Sequence, residues 1–364
     1  MQLGITILLA LVLSVFTAAT SSRNKNHINV SGVSNIVETK PVASFPEQLS
    51  KILSDRKAAS FVLGYSKQGR DITAFFFPGV SNRNALVIGG MHGSELSSIE
   101  VASELMRQLQ SGDSIYYNVI IIPSLFPDNA EQARQKPQLI GGVENIGRYS
   151  YKGAVDPNRQ MPTPGKPFDE YKCLDHAGRK IETENALLLE LITQYRPQRI
   201  VNLHAIRNRE NAGVFADPRT DHNGMALGYE TDSSLAVTIA KTIQDEGGYI
   251  PGNNLDKKPT ALYYKDPPAA AAGMPQKRNF SGSPMPGHRG GGVSLGTWAS
   301  TAVCNDADPT QSRDAIRILT MEFPGSKRPQ DYNKELRGNY YRNVQLYASA
   351  LKAIFLGEWF VEES

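Results

Sequence analysis

Short, unbroken apolar runs that stop at glycine, proline or a polar residue most constrain how this chain folds. Leu86-Val87-Ile88 is closed by Gly89-Gly90, and Val119-Ile120-Ile121-Ile122 by Pro123. Arg199-Ile200-Val201-Asn202-Leu203 and Ile316-Arg317-Ile318-Leu319-Thr320-Met321 have the same character. Runs this short fit strands buried on both faces. Between the first two, Leu96, Ile99, Ala102, Leu105, Met106 and Leu109 recur at helical spacing. Glu184 to Tyr195, Ser233 to Gln244 and Lys334 to Leu356 also read as helices, the first stopped by Arg196-Pro197 and the second by Gly247-Gly248. Asp128 to Phe168 is loop-like. This alternation predicts an α/β fold with a mainly parallel, mixed central sheet and helices on both faces. In such sheets chemistry sits beyond the carboxyl ends of the strands.

The N-terminus stands apart from that pattern. Residues 3–19 carry no charge, and Thr17-Ala18-Ala19 ends the apolar stretch with small residues. Residues 1–19 therefore read as a signal peptide, which predicts an exported protein, periplasmic or secreted. An uncleaved membrane anchor is the competing reading. Residues 20–43 are polar and read as a leader, leaving 44–364 for a catalytic domain. Lysine and arginine total 39 against 36 acidic residues, a formal charge of +3, which gives no footprint for nucleic acid. No membrane partner is expected unless the N-terminal segment stays as an anchor. The two cysteines, Cys173 and Cys304, are too few for a disulfide framework. Lys257 to Pro286 looks like an insertion.

Three predicted strand ends deliver residues that can do chemistry. Met91-His92-Gly93-Ser94-Glu95 follows the first strand, His204 the third and Glu322 the fourth. A His-x-x-Glu pair alone is a weak signal, since strand-end turns often carry polar caps. His204 alone suits a buried core histidine, and Glu322 before Phe323-Pro324-Gly325 suits an exposed turn. The conjunction matters: two His and one Glu are a common catalytic zinc set that leaves a position open for water. A free carboxylate nearby can then take a proton, and Glu322 is the candidate.

With these motifs the chain resembles the carboxypeptidase A-like zinc metallocarboxypeptidases, from about Phe61 to Ala353. The resemblance makes His92, Glu95 and His204 the ligands of one Zn2+ per chain, with Glu322 as general base. The family motif Gly-Val-Asp-x-Asn-Arg matches Gly153-Ala154-Val155-Asp156-Pro157-Asn158-Arg159, with Ala154 inserted. It implies that Asn158 and Arg159 hold the free carboxylate of the substrate. A planar guanidinium suits that task because it grips a carboxylate through two parallel hydrogen bonds. Arg148 is the candidate for stabilising the oxyanion, with Arg134 as its rival.

The resemblance departs from the peptide-digesting members between His288 and Ala299, where no Tyr occurs. Gly292-Val293-Ser294-Leu295-Gly296-Thr297-Trp298-Ala299 is closer to bacterial murein-peptide amidases of the family, which cut a γ-D-glutamyl–diaminopimelate bond. Ser294 to Thr297 contains no acid, so a preference for terminal Lys or Arg is not indicated. The expected function is therefore a zinc metallocarboxypeptidase acting on a peptide or muropeptide with a free carboxylate. The alternatives are an N-acyl-amino-acid deacylase of the succinylglutamate desuccinylase or aspartoacylase type, and an inactive binding protein.

Overall fold

The computed structural model describes residues 45–255, 291–327 and 334–358. The signal segment, the leader and the insertion at 257–286 lie outside the described residues. The apolar runs form the centre of one sheet. Strands β1 (Ala59–Tyr65), β2 (Asp71–Phe77), β3 (Asn84–Ile88), β4 (Asn118–Ile122), β5 (Arg199–Ile206), β6 (Gly213–Ala216) and β7 (Arg317–Pro324) run in the order β1-β2-β4-β3-β5-β7-β6. The four predicted strands, β4, β3, β5 and β7, are mutually parallel. Strands β1, β2 and β6 add antiparallel pairings at the two sides, so the sheet is mixed.

Alternation along the strands builds a core on each face. Ala85, Val87, Val119, Ile121, Val201 and Leu319 face one side, where they meet α2 (Leu96–Leu109), α5 (Glu230–Asp245) and α7 (Lys334–Ala350). Leu86, Ile88, Ile120, Ile200 and Ile318 face the other, against α1 (Phe45–Asp55), α4 (Thr183–Tyr195) and α6 (Leu295–Ala299). Helix α7 runs into one π-helical turn at Leu351–Phe355. Among the described residues no helix is long and apolar enough to cross a membrane. Cys173 and Cys304 are unbonded.

The loop expected from Asp128 onward begins instead as a helix, α3 (Pro127–Gln135). Its apolar residues are only Ala130 and Ala133, which is why its periodicity is faint, but Pro127 occupies the start that its fixed φ favours. Both alanines pack on Leu96, Ile99 and Ile140.

One buried ion cluster ties β7 to its surroundings. Fully buried Asp232 on α5 accepts from Arg317 Nε at 2.6 Å through one oxygen and from Arg219 Nε at 2.9 Å through the other. Asp232→Asn leaves two enclosed guanidinium groups without their counter-charge. It should cost about 3 kcal/mol in chemical denaturation; a loss below about 1 kcal/mol would show that the cluster contributes little.

Candidate metal centre and substrate cleft

Three parallel strands deliver the site. After β3 the chain turns through Met91–Glu95 into α2, and this turn is tightly packed. A Cβ on Gly93 would stand 2.2 Å from the Ala130 nitrogen, so only glycine fits there. Glu95 sits immediately before α2 but makes no capping hydrogen bond. Its carboxylate points into the cleft instead, which removes the simplest structural explanation for an acid at this turn.

Both Glu95 oxygens are engaged. Oε1 lies 2.8 Å from His92 Nδ1 and accepts from Arg148 Nη1 at 3.1 Å. Oε2 lies 2.8 Å from His204 Nδ1 and accepts from the Ala205 amide at 3.1 Å. One ligand atom from each of His92, Glu95 and His204 lies within 4.8 Å of the other two, and all three residues are buried. A cation placed among these atoms would be met by a lone pair from each of them. The donor set of two imidazoles and one carboxylate therefore fits zinc.

A second carboxylate orients the first imidazole. Asp156 Oδ1 lies 2.8 Å from His92 Nε2 and accepts the Asn158 amide at 2.9 Å, while Oδ2 accepts from Arg148 Nη2 at 2.7 Å. Burial opposes charge on His92, but the flanking Glu95 and Asp156 carboxylates outweigh it and raise its pKa to about 9 in the metal-free chain. Burial likewise opposes ionisation of Glu95 and Asp156. The imidazoles beside Glu95, and His92 with Arg148 beside Asp156, nonetheless hold both well below the usual carboxylate range.

Glu322 stands on the neighbouring strand, paired in register with His204. Burial pushes its carboxyl up, opposed by His204 and reinforced by Glu95. Asn158 and Arg159 occupy a 3₁₀ turn at Pro157–Arg159, capped by Asp156. Asn158 Oδ1 accepts the Leu295 amide at 2.9 Å, and its Nδ2 lies 3.5 Å from His204 Nε2. Arg159 donates at 2.5 Å to the Asn158 carbonyl. Arg179 holds the Arg159 backbone, donating to its carbonyl at 3.0 Å while paired with Asp175 at 2.7 Å.

His92, Glu95, Arg148, Asn158, Arg159, His204 and Glu322 all line one cleft of about 490 Å³. The structure thus brings together every residue expected at the site. Arg148 lines this cleft, whereas Arg134, on α3 with Glu131 3.8 Å away, does not. A larger cavity of about 800 Å³, bounded by Phe168, Glu190, Trp298 and Arg313, holds no histidine and lies outside this cluster.

Two residues that support the site were not singled out in the sequence. Asp156 was visible inside the motif, but its partner His92 lies 64 positions away. Arg179 acts through backbone and gave no signal.

A family model described as zinc carboxypeptidase matches residues 50–247. No curated protein matches the chain. Among solved structures, carboxypeptidase A from Helicoverpa armigera is 14% identical, with a TM-score of 0.46 over 88% of this chain and 77% of that one. A murein-tripeptide amidase from Escherichia coli O157 is 15% identical, with a TM-score of 0.39 over 84% of this chain and 94% of that one.

The packing of the β3–α2 turn is directly testable. Gly93→Ala forces a methyl group into the α3 backbone and should lower stability by about 1–3 kcal/mol. Melting at the parent temperature would show that the turn has room to spare.

Proposed function

The chain belongs to the zinc carboxypeptidase family, and from that premise we propose that it cuts the last amide bond of a peptide or muropeptide ending in a free carboxylate. One observation carries this reading: Arg159 faces the same cleft as the ligand trio and Glu322, and among the described residues its guanidinium makes one hydrogen bond, to a backbone carbonyl. The guanidinium is thus available to a substrate anion. Export, supported by the apolar residues 3–19, is part of the proposal.

His92, Glu95 and His204 would hold the zinc, and Asp156 would fix the His92 ring so that Nδ1 faces the metal. Bound there, zinc supplies Lewis acidity, which makes a water nucleophilic near neutral pH and polarises a carbonyl. Glu322 is placed to accept a proton and hand it to the leaving amine. Its carboxyl is pushed toward neutrality by burial, which suits a group that must both take up and release a proton. Arg148, fixed by Glu95 and Asp156, keeps part of its donor fork for negative charge developing on the carbonyl oxygen. Arg159 and Asn158 grip the terminal carboxylate and so choose which bond reaches the centre.

Three measurements test this account. His204→Ala should lose stoichiometric zinc by elemental analysis, whereas Asp156→Asn should retain it with affinity weakened about 10–100-fold. Full occupancy in the His204 variant would overturn the ligand assignment. Glu322→Gln should keep zinc and the parent melting temperature but lose most turnover; a rate within a few-fold of the parent would require another base. Amidating the terminal carboxylate should slow cleavage roughly thirty-fold or more, as expected when a charge-assisted pair worth about 2–5 kcal/mol is lost. Equal rates for free and amidated peptides would remove the exopeptidase reading.

A further inference from the structure

Resting on the exopeptidase reading, we propose that Arg179 is a positioning residue for the carboxylate grip. It locks the Arg159 backbone to the segment that enters α6, and so sets where the Arg159 guanidinium stands. Arg179 belongs to a short hairpin in which Leu174 and Lys180 form an antiparallel bridge. The Asp175 amide donates to the Arg179 carbonyl at 2.8 Å, and Gly178 turns the chain with φ +74°. Asp175 Oδ1 accepts the amides of Ala177 at 2.9 Å and Arg179 at 2.8 Å, while Oδ2 accepts Arg179 Nε at 2.7 Å. Asp175 is buried, so the guanidinium is held from this side by an enclosed counter-charge. The hairpin is closed by these bonds alone.

The other end of the guanidinium does more than the hairpin needs. Arg179 Nη2 donates to the Arg159 carbonyl at 3.0 Å and to the Gly291 carbonyl at 2.9 Å. These carbonyls belong to two distant segments that run side by side. Gln160 forms a parallel bridge with Val293, and the Met161 amide donates to the Val293 carbonyl at 3.2 Å. Gly292 makes the close approach possible. A Cβ there would stand 2.1 Å from the Arg159 carbonyl oxygen and 2.7 Å from Arg179 Nη2, and its φ of +140° also favours glycine. The chain then passes through Ser294, which lines the cleft, to Leu295, whose amide donates to Asn158 Oδ1 at 2.9 Å. A planar guanidinium suits this junction, because its fixed fork serves an acid through Nε and two carbonyls through Nη2.

Arg159 depends on such a clamp because little else fixes it. Among the described residues its guanidinium makes one hydrogen bond, to the carbonyl of its own neighbour Asn158. Its position therefore follows from its backbone. The Arg159 amide is held by the Asp156 carbonyl at 2.9 Å, and the Arg159 carbonyl is held by Arg179. Arg179 does not line the cleft and makes no hydrogen bond to His92, Glu95, His204 or Glu322. Those four come from the β3–α2 turn, β5 and β7. Losing Arg179 should loosen the grip on the terminal carboxylate and leave the metal centre as it was.

The test uses the zinc-loaded full chain and one peptide in two forms, with a free and with an amidated terminal carboxylate. Arg179→Ala should retain stoichiometric zinc and keep kcat/KM for the amidated form within a few-fold of the parent. For the free form kcat/KM should fall about ten- to hundred-fold, the scale of a misplaced substrate anchor. KM should rise more than kcat falls, because the carboxylate is gripped in the ground state as well as in the transition state. Arg179→Lys keeps the charge and the stem but not the fork, and its free-to-amidated ratio should lie between those of the parent and the Ala variant. If Arg179 merely supports the fold, both forms slow equally and the ratio stays at the parent value, which overturns the proposal. If the Ala variant does not fold, a parent-like ratio in Arg179→Lys overturns it in the same way. A parent that cuts both forms at equal rates overturns the exopeptidase reading and this proposal together. A parent and variants that discriminate equally overturn this proposal alone.

Discussion

The site depends on one buried carboxylate, Glu95, whose oxygens are divided between two imidazoles. His92 reaches Oε1 from the β3–α2 turn and His204 reaches Oε2 from β5. A buried carboxylate without such partners would be strongly destabilising, so the position of Glu95 is acceptable only if both strands end in the right place. The parallel pairings of β3 with β5 and of β5 with β7 meet that requirement. A slip of one residue in β7 would turn Glu322 to the opposite face of the sheet, into the apolar layer that holds Met321 and Phe323. Register, rather than any loop, fixes the distance between the ligand cluster and the proposed base.

Much of this was legible in the chain. The central strands are continuous apolar runs because both of their faces are covered, and three of the four, β3, β5 and β7, lead to a residue of the cleft. The flanking strands were harder to see. Strand β1 buries Phe61 and Leu63, and β2 buries Ile72, Ala74 and Phe76. Their alternation around a turn with Gly69 in the left-handed region is a hairpin signal of the kind that could have been read. Strand β6 has only four residues, too few for any period to show. Helix α3 hid because it packs with alanines and carries polar residues elsewhere.

The site residues divide along the same line. His92, Glu95, His204 and Glu322 stand where strands end, so a local reading finds them. Asp156 and Arg148 reach the cluster through a long loop, and only the family motif pointed there. That β6 lies next to β7 is carried by topology, and periodicity does not show it.

Charge balance explains how so polar a cluster is buried. Two ionised carboxylates, Glu95 and Asp156, are offset by the Arg148 guanidinium and by a protonated His92 ring held between them. Hydrogen bonds satisfy these groups as the charges cancel, which is the condition for burying them together. A dication held by His92, Glu95 and His204 would take the place of the His92 Nδ1 proton and would shift the cleft toward positive charge. Arg159, on the same wall, adds to that field. Under the proposed reading, a metal-loaded cleft would therefore favour an anionic chain end.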